Sequence, residues 1–391
     1  MISISEALSH LFALAGPLES ESVPLSKANG RVLGQDVFAR RNQPPFSASA
    51  MDGYAVCAKD VVSGAALEVI GEAAAGHGFS GTVATGQAVR IFTGAPVPAG
   101  ADRVVIQEDV NRDGNTITLG DKIDAGFHIR PAGGDFSEGD RLSAPRVLTP
   151  SDIALMASMN IANVPVIRKP RVAIMSTGDE LVMPGETPGS DQIISSNSFG
   201  LQALLRDLGA EARLLPIAKD TRSSLETAFS MADDADLVIT IGGASVGDHD
   251  LVGDVAVDLG MSRSFYKIAM RPGKPLMAGR LANGAVMIGL PGNPVSAMVC
   301  GHIFVAPVIR QMLGLGPSAP HEETALLAAP LSANGPRQHY MRARVEAGRI
   351  TAFERQDSSL LTVLSQANAL LIRPPHDPER ASGETVRYVP L

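Results

Sequence analysis

The chain has 391 residues, of which 45% are hydrophobic and 19% are charged, and its formal net charge is −8 at pH 7. This composition is typical of a globular protein, and the length predicts two to four domains. An acidic chain with 4% aromatic residues, no Trp and no run of Lys or Arg is not expected to bind nucleic acid.

Cysteine usage and the N-terminal segment indicate the compartment. Cys57 and Cys300 stand alone, which predicts neither a disulfide framework nor a zinc–thiolate site and fits a reducing compartment. The N-terminal segment predicts an amphipathic helix, since it contains Glu6 and lacks the basic start of a signal peptide. Because no stretch approaches 18 apolar residues, we expect no membrane span and a cytoplasmic protein.

The first part of the chain alternates between helical and β patterns. Residues 1–41 predict a helix, a turn and a short strand near Val37. Residues 44–130 consist of short β-branched segments separated by Gly, Pro, Asn-Gly and Asp-Gly turns, which is typical of an all-β domain. Thr149 and the three residues after it predict the start of a helix, followed by a strand at 164–166. The pattern therefore predicts a β domain inserted into another domain.

From Arg171 onward, apolar strands alternate with amphipathic helices. This order predicts a parallel sheet that is covered by helices on both faces. Residues 285–313 predict a further strand, a Pro/Gly turn and a long helix, and residues 195–210 a capped helix. Past Pro320 the segments become short strands, which predict a small C-terminal β domain.

Glycines and acids follow the third strand of this α/β region. Parallel sheets bind ligands at the carboxyl ends of their strands, and Gly242-Gly243 would let backbone N–H groups approach an anion there. An acidic pair just after such a loop fits a magnesium ion bridging carboxylate and phosphate. The alternatives are a plain glycine turn and acids that only cap the next helix. The candidate residues that follow Gly242-Gly243 in this loop are Ser245, Gly247, Asp248 and Asp250.

Two further segments are candidates for the same edge of the sheet. The turn 289–297 contains two prolines and two glycines before a helix, which predicts a rigid, shaped loop, or alternatively an ordinary turn capped by Asn293. Three cations within eight residues, Lys267, Arg271 and Lys274, predict an oxyanion site, or alternatively a solvated basic face.

The inserted β region is less informative on local chemistry. Segments 44–56 and 91–109 contain Asp52-Gly53 and Thr93-Gly94, but turn formation explains these residues equally well. The eight His residues show no metal-binding spacing, so a histidine-bound transition metal is not expected. No nucleophile elbow, P-loop or dinucleotide fingerprint occurs.

Taken together and in order, these motifs resemble the molybdopterin molybdenumtransferase family, which comprises bacterial MoeA and the gephyrin E-domain. The resemblance covers nearly the whole chain. It is carried by PPFSASAMDGYAV, IFTGAPVPAGADRVV, IRPAGGD, STGDEL, ISSNSFGL, GGASVGDHD, MRPGKPLMAG and GLPGNPVSA.

The resemblance implies a multidomain fold with α/β and all-β parts. The expected domains are a discontinuous helical or mixed dimerisation/linker domain (1–43 with 131–168), an inserted β domain (44–130), a three-layer α/β molybdopterin-binding domain with a parallel-rich sheet (169–316), and a C-terminal β-barrel-like domain (317–391). It also implies a homodimeric transferase in molybdenum cofactor biosynthesis. Such an enzyme inserts molybdenum from molybdate into adenylylated molybdopterin, with magnesium-dependent cleavage of the adenylate and release of AMP.

Similarity assigns roles residue by residue. Asp52 and Thr93 resemble a catalytic contribution from the partner subunit near the molybdate and pterin ends. Glu180, Asp220 and Asp250 resemble catalytic carboxylates, and Glu180, Asp248 and Asp250 are the expected magnesium ligands. The expected binding residues are Gly242, Gly243, Ser245, Gly247, Lys267, Arg271, Lys274, Pro291, Gly292, Pro294, Ser296, Arg130 and Asp135. Arg337 and Ser358 are loosely matched candidates in the C-terminal domain.

Two other functions stay open at this point. A molybdopterin-binding scaffold or carrier would bind without turnover, and a molybdopterin adenylyltransferase would share the α/β domain alone. Possible partners are a molybdopterin adenylyltransferase and proteins that mature molybdoenzymes. Arg271 stands where many family members have Lys, which replaces a point charge by a planar fork.

Overall fold

The computed structural model describes residues 1–243 and 251–391. The chain divides into two compact units, one of residues 1–21, 30–34 and 166–391 and one of residues 22–29 and 35–165. Each unit is discontinuous in sequence. The four domains expected above are a finer division, and their boundaries stay a prediction.

The helices and strands alternate along the whole chain. The helices are Ile4–Leu14, Pro150–Ser158, Asn197–Asp207, Arg222–Ser230, Leu251–Asp258, Pro294–Cys300, Ala306–Met312 and Leu361–Gln366, with short 3-10 turns at Leu25–Lys27, Ala58–Asp60 and Gln107–Asp109 and a π turn at Gly301–Val305. The strands up to residue 167 are Ser20–Pro24, Val32–Leu33, Val37–Phe38, Ala48–Ser49, Gly53–Val56, Ala66–Ala73, Gln87–Ile91, Arg103–Ile106, Val110–Asp113, Thr116–Leu119, Ile129–Arg130, Arg141–Leu142, Arg146–Val147 and Asn163–Ile167. The later strands are Arg171–Ser176, Leu181–Val182, Ile193–Ile194, Glu211–Leu214, Leu237–Ile241, Ser262–Tyr266, Met270–Arg271, Met277–Arg280, Val286–Leu290, Glu323–Leu327, Gln338–Glu346, Arg349–Ala352, Ala369–Arg373 and Thr385–Pro390.

The unit of residues 22–29 and 35–165 is built around a six-stranded sheet. Its strand Gly53–Val56 pairs antiparallel with Gln87–Ile91 on one side and with Arg103–Ile106 on the other. Gly53 is required there, because a Cβ atom would lie 2.0 Å from the Val105 carbonyl oxygen. The predicted β character of this region is confirmed. The helix Pro150–Ser158 begins as expected, with Thr149 and Asp152 forming a reciprocal capping box.

The other unit is centred on a six-stranded mixed sheet. Four parallel strands come first, in the order Glu211–Leu214, Arg171–Ser176, Leu237–Ile241 and Val286–Leu290. The strands Met277–Arg280 and Ser262–Tyr266 extend one edge in antiparallel pairing, a departure from a purely parallel sheet. The predicted parallel-rich sheet is confirmed.

Alternate residues of these strands enter two different cores. Ile174, Ile239 and Ile288 belong to one cluster, which includes the helices Asn197–Asp207 and Pro294–Met312. Met175, Val238 and Met287 belong to the other cluster, under the helices Arg222–Ser230 and Leu251–Asp258. The result is the expected three-layer arrangement. The N-terminal helix packs into the first cluster through Leu8 and Leu11.

One helical run among the described residues, Pro294–Met312, is long and apolar enough to cross a membrane by length and composition. Of its apolar window, 72% is buried inside the protein. Burial in the core of the α/β unit therefore accounts for the apolar character of this helix.

The C-terminal strands close into a five-stranded barrel. The sheet runs in the order Gln338–Glu346, Arg349–Ala352, Glu323–Leu327, Thr385–Pro390 and Ala369–Arg373, and the last strand pairs back with the first. This confirms the barrel-like domain. The strand Met270–Arg271 joins this barrel in parallel pairing with Gln338 and His339.

A buried ion pair stabilises the end of the barrel strand Ala369–Arg373. Asp377, 6% exposed, accepts hydrogen bonds from Arg373, 2% exposed, and from Arg380. The Arg373 guanidinium also donates to the carbonyls of Ser332 and Pro378. Removing the carboxylate charge would leave the Arg373 charge buried without a counter-charge.

We expect Asp377→Asn to lower the free energy of unfolding by about 3 to 5 kcal/mol, because breaking a buried pair leaves one charge uncompensated. Chemical denaturation monitored by circular dichroism measures this loss. Asp234→Asn is the matched control, since Asp234 pairs with Arg213 at the exposed surface and its loss is expected to change stability little. Equal effects of the two substitutions would contradict the importance of the buried pair.

Candidate active site

A pocket of about 580 Å³ opens at the carboxyl ends of the parallel strands. Its walls come from the ends of three strands, from the turn before the helix Pro294–Cys300 and from the start of the helix Asn197–Asp207. Parallel pairing in register brings these segments to one edge, as expected for a ligand site in an α/β sheet. The lining residues are Ser176, Thr177, Glu180, Leu181, Ile193, Ile194, Ser195, Ser196, Asn197, Ile241, Gly242, Pro275, Pro291, Gly292, Asn293, Pro294 and Ser359.

Two consecutive glycines, Gly242 and Gly243, follow the strand Leu237–Ile241, and Gly242 lines the pocket. Gly242 and Gly243 have φ values of 94° and 67°, in the left-handed region that glycine favours. A Cβ atom on Gly242 would lie 2.7 Å from the Thr177 carbonyl oxygen, and one on Gly243 would lie 2.2 Å from the Val252 side chain. Both glycines are therefore needed for the loop to pack closely, and the backbone stays accessible to a ligand.

The turn after the strand Val286–Leu290 is tied to the neighbouring helix. The Asn197 amide donates a 2.7 Å hydrogen bond to the Gly292 carbonyl. Asn293 begins the next helix but makes no side-chain cap bond, which removes support for the turn being merely capped by Asn293. Ser196 likewise makes no cap bond, so the expected capping of the helix Asn197–Asp207 is wrong. Pro291, Gly292 and Pro294 line the pocket, whereas Ser296 is 4% exposed inside the helix and is not a lining residue.

Three carboxylates gather beside the pocket. The backbone of Gly178 donates to the Ala218 carbonyl at 3.1 Å, which brings Asp220 next to Asp179 and Glu180. Desolvation together with the negative charges of Asp179 and Glu180 raises the pKa of Asp220. A cation at this position would relieve the repulsion between the three carboxylates. Asp179 had not been predicted, although it stands in the same TGDE segment as Glu180.

The predicted metal ligands are only partly described. Ser245, Gly247, Asp248 and Asp250 lie outside the described residues, so only Glu180 of the expected magnesium ligands has a known position. Within residues 1–243 and 251–391, no group of three or more His, Cys, Asp and Glu residues is arranged to hold a metal. Magnesium commonly takes one or two carboxylates and completes its shell with water and phosphate, so it does not require a group of three protein ligands.

The cation segment forms a hairpin beside the pocket. Lys267 N–H donates to the Leu276 carbonyl and Ile268 N–H to the Lys274 carbonyl, each at 3.0 Å. Pro275, which follows Lys274, lines the pocket. The Lys267 ammonium lies 4.7 Å from the centre of the Tyr266 ring. Pro275 is thus the contribution of this hairpin to the pocket wall, whereas Lys267, Arg271 and Lys274 are not among the lining residues.

Further cations lie in the barrel next to this hairpin; Arg337 was a candidate from the sequence, whereas Arg342 had not been predicted. Arg342 is fully buried; its Nη2 donates to the Asp357 carbonyl at 2.9 Å, and its Nε and Nη1 have no partner among the described residues. Burial and the positive charges of Arg271, Arg342, Arg373 and Arg337 lower the pKa of His339 to about 3. The positive charge of these arginines favours the binding of an anion nearby.

The two candidates of the C-terminal region, Arg337 and Ser358, contact the α/β part of the chain. Arg337 donates to the Met270 carbonyl at 3.4 Å, and the carbonyl of Ser358 accepts from Val295 N–H at 3.0 Å.

In the unit of residues 22–29 and 35–165, Asp52 and Thr93 form a pair. One Asp52 oxygen accepts from both the backbone N–H and the hydroxyl of Thr93, each at 2.7 Å. These two donors, the backbone one foremost, lower the pKa of Asp52, which therefore stays ionised. Arg130 and Asp135, in contrast, are both exposed, and no ion pair joins them in the part of the chain that the structure describes.

The fold and pocket define a multidomain protein with a candidate ligand pocket at the carboxyl edge of its α/β sheet. Three family models match the chain: the MoeA N-terminal region (domain I and II) over residues 2–160, the probable molybdopterin binding domain over 173–311, and the MoeA C-terminal region (domain IV) over 324–391. The chain belongs to the MoeA family of molybdopterin molybdenumtransferases.

Several relatives support this membership. The chain is 38% identical to "Molybdopterin molybdenumtransferase 2" of Mycobacterium tuberculosis, with 93% of each chain covered. It is 35% identical to the molybdopterin molybdenumtransferase of Nostoc sp., with 100% of this chain and 94% of the relative covered. A crystal structure of the molybdopterin biosynthesis MoeA protein from Pyrococcus horikoshii OT3 superposes with a TM-score of 0.85 at 28% identity, covering 100% of both chains.

We expect His339→Gln to change the pH dependence of stability. The folded protein keeps His339 neutral, whereas the unfolded chain binds a proton below about pH 6.5. Between about pH 6.5 and pH 3, the unfolded state therefore binds more protons, and stability that is present above this window is lost as the pH falls. Relative to the variant, wild type should lose about 1.4 kcal/mol per pH unit in that window.

Denaturation at a series of pH values measures this difference between wild type and variant. His321→Gln is the control, because the His321 side chain is 80% exposed at the edge of the same domain. A constant difference between wild type and His339→Gln across the window would show that His339 is not held neutral.

Proposed function

We propose that this protein inserts molybdenum from molybdate into adenylylated molybdopterin, breaking the phosphoanhydride bond and releasing AMP. The carrying observation is the pocket of about 580 Å³ at the carboxyl edge of the sheet, with the Glu180 carboxylate, the Gly242 backbone and the Pro275 end of the cation hairpin on its walls. Family membership supplies the reaction, and the pocket supplies groups suited to it.

Charge placement supports this chemistry. Cleaving a phosphoanhydride mainly requires positioning of the phosphates and neutralisation of their charge. Backbone N–H groups of the glycine loop and the cations Lys267, Arg271 and Lys274 are suited to both tasks. Molybdate is a tetrahedral dianion, so the same cations would hold it next to the dithiolene sulfurs. Holding both reactants in one pocket replaces a bimolecular encounter.

We propose that Glu180, with Asp248 and Asp250, holds a magnesium ion and that Asp220 lies close to it. The raised pKa of Asp220 supports a cation near it, because a positive charge would relieve the repulsion from Asp179 and Glu180. When bound, magnesium would neutralise the phosphate oxygens. The chain's own part would be to hold the carboxylates of Glu180 and Asp220 close together beside the pocket.

We also propose a cytoplasmic homodimer in which the Asp52–Thr93 pair completes the site of the partner subunit. Hydrogen bonds from Thr93 that keep Asp52 ionised suit a role beside a substrate. A molybdopterin adenylyltransferase and maturation proteins of molybdoenzymes are the proposed upstream and downstream partners. The four-domain division stays part of this proposal.

Incubation with adenylylated molybdopterin, magnesium and molybdate tests the function. We expect AMP release that depends on molybdate. Tight binding without AMP would instead indicate a carrier, and adenylylation of free molybdopterin by ATP would indicate an adenylyltransferase. Either result would overturn the proposal.

We expect Glu180→Gln and Asp220→Asn to lower AMP release by on the order of a hundredfold or more while leaving the circular dichroism spectrum unchanged, because each removes charge that the reaction uses. Raising the magnesium concentration should partly restore turnover, since the lost carboxylate weakens metal binding. Chromatographic quantification of AMP measures both effects.

The matched control is Glu211→Gln. Glu211 is an exposed acid at the start of a strand of the same sheet, at the edge opposite the pocket. Wild-type turnover in Glu180→Gln, or an equal loss in Glu211→Gln, would remove the assignment of the carboxylates.

A further inference from the structure

Arg90 lies close to the Asp52–Thr93 pair but belongs to none of the sequence motifs discussed above. It stands on the strand Gln87–Ile91, directly opposite Tyr54. Its guanidinium carbon lies 5.1 Å from the centre of the Tyr54 ring and 4.8 Å from that of Phe92. A planar guanidinium held by two aromatic rings has a restricted orientation.

The hydrogen bonds of Arg90 go to the immediate surroundings of Asp52. Its Nη1 donates to the Gly53 carbonyl at 3.2 Å, on the residue that follows Asp52. Its Nη2 donates to the Gln107 side-chain oxygen at 2.6 Å. The backbone N–H of Gln107 donates in turn to the Asp52 carbonyl at 3.1 Å. Arg90 therefore contacts the Gly53 carbonyl directly and is linked to the Asp52 carbonyl through Gln107, and both carbonyls lie on the C-terminal side of Asp52.

No salt bridge to Arg90 occurs within residues 1–243 and 251–391. Its positive charge is thus not neutralised by direct contact with an acid and acts on Asp52 at longer range. The two aromatic rings and the two hydrogen bonds hold the guanidinium in one place, which a surface arginine that only adds solubility would not require.

We infer that Arg90 is a positioning residue for the reaction, which fixes the orientation of the Asp52 carboxylate through Gly53 and Gln107. The inference rests on the proposed role of Asp52. Arg90 touches neither substrate nor metal in this account. Its loss is expected to displace Asp52 relative to its partners, and small displacements of a reacting group can cost about a hundredfold in rate.

The test compares Arg90→Gln, Arg90→Lys and the control Arg103→Gln. Arg103 is a suitable control because it also stacks on an aromatic ring, at 5.7 Å from Phe127, and donates to a backbone carbonyl away from Asp52. Two properties are measured for each variant: AMP release over a range of pH, and the pKa of Asp52 by carboxyl 13C NMR, with Asp52→Asn identifying the signal.

We expect Arg90→Gln to lower kcat by about 10- to 100-fold with KM within about twofold. The Asp52 pKa should rise in this variant, since its hydrogen-bond donors are less well placed and a nearby positive charge is lost. Arg90→Lys keeps the charge and should recover part of both effects, and it serves as the readable variant if Arg90→Gln does not fold. Arg103→Gln should match wild type in both measurements.

The outcomes separate this inference from the proposed function. If the Asp52 pKa and kcat in both Arg90 variants equal those of Arg103→Gln, the inference is overturned even though Asp52→Asn is inactive. If Asp52→Asn turns over like wild type, the proposed role of Asp52 fails. A raised Asp52 pKa in Arg90→Gln would still support the positioning contact in that case.

Discussion

The parallel registration of the strands Arg171–Ser176, Leu237–Ile241 and Val286–Leu290 is the constraint on which the candidate site depends. Since their carboxyl ends meet at one edge, the loops that follow them are forced together. Gly242 then passes close to the Thr177 carbonyl and to Gly292, where a side chain would not fit. The parallel pairing of these strands thus produces both the close backbone contact at Gly242 and the pocket beside it.

Charge is distributed unevenly around this edge. Carboxylates cluster near Asp220, where desolvation and the negative charges of Asp179 and Glu180 raise the pKa of Asp220. Cations cluster on the hairpin with Arg271 and in the barrel next to it, where Arg342 is buried and makes no salt bridge to any residue that the structure describes. Two separate clusters of opposite charge lower the stability of the protein, because like charges repel one another within each cluster. A ligand that combines anionic groups with a divalent cation would neutralise both clusters at once.

Local patterns predicted the elements well and the tertiary contacts less well. The Thr149 cap and the strand Leu237–Ile241, which ends just before Gly242, depend on neighbouring residues, and both are confirmed. The antiparallel pairing of Met277–Arg280, the burial of Ser296 and the gathering of Asp179 with Asp220 depend on residues far apart in the chain. His339 and Arg342 could not have been predicted, because their surroundings arise from pairing between the barrel and the strand Met270–Arg271. The family resemblance supplied the Asp52–Thr93 pair, which local turn chemistry alone did not distinguish from an ordinary turn.

The strand Met270–Arg271 has a consequence for how the C-terminal barrel can change. It belongs in sequence to the α/β region, yet it is hydrogen-bonded into the barrel sheet beside Gln338 and His339. The two parts also share one apolar core, in which Met270, Tyr340 and Ile372 take part. The barrel is therefore not an interchangeable module. If the barrel were exchanged between relatives, the cation hairpin would be preserved only if the strand Gln338–Glu346 and residues 270–271 were transferred together.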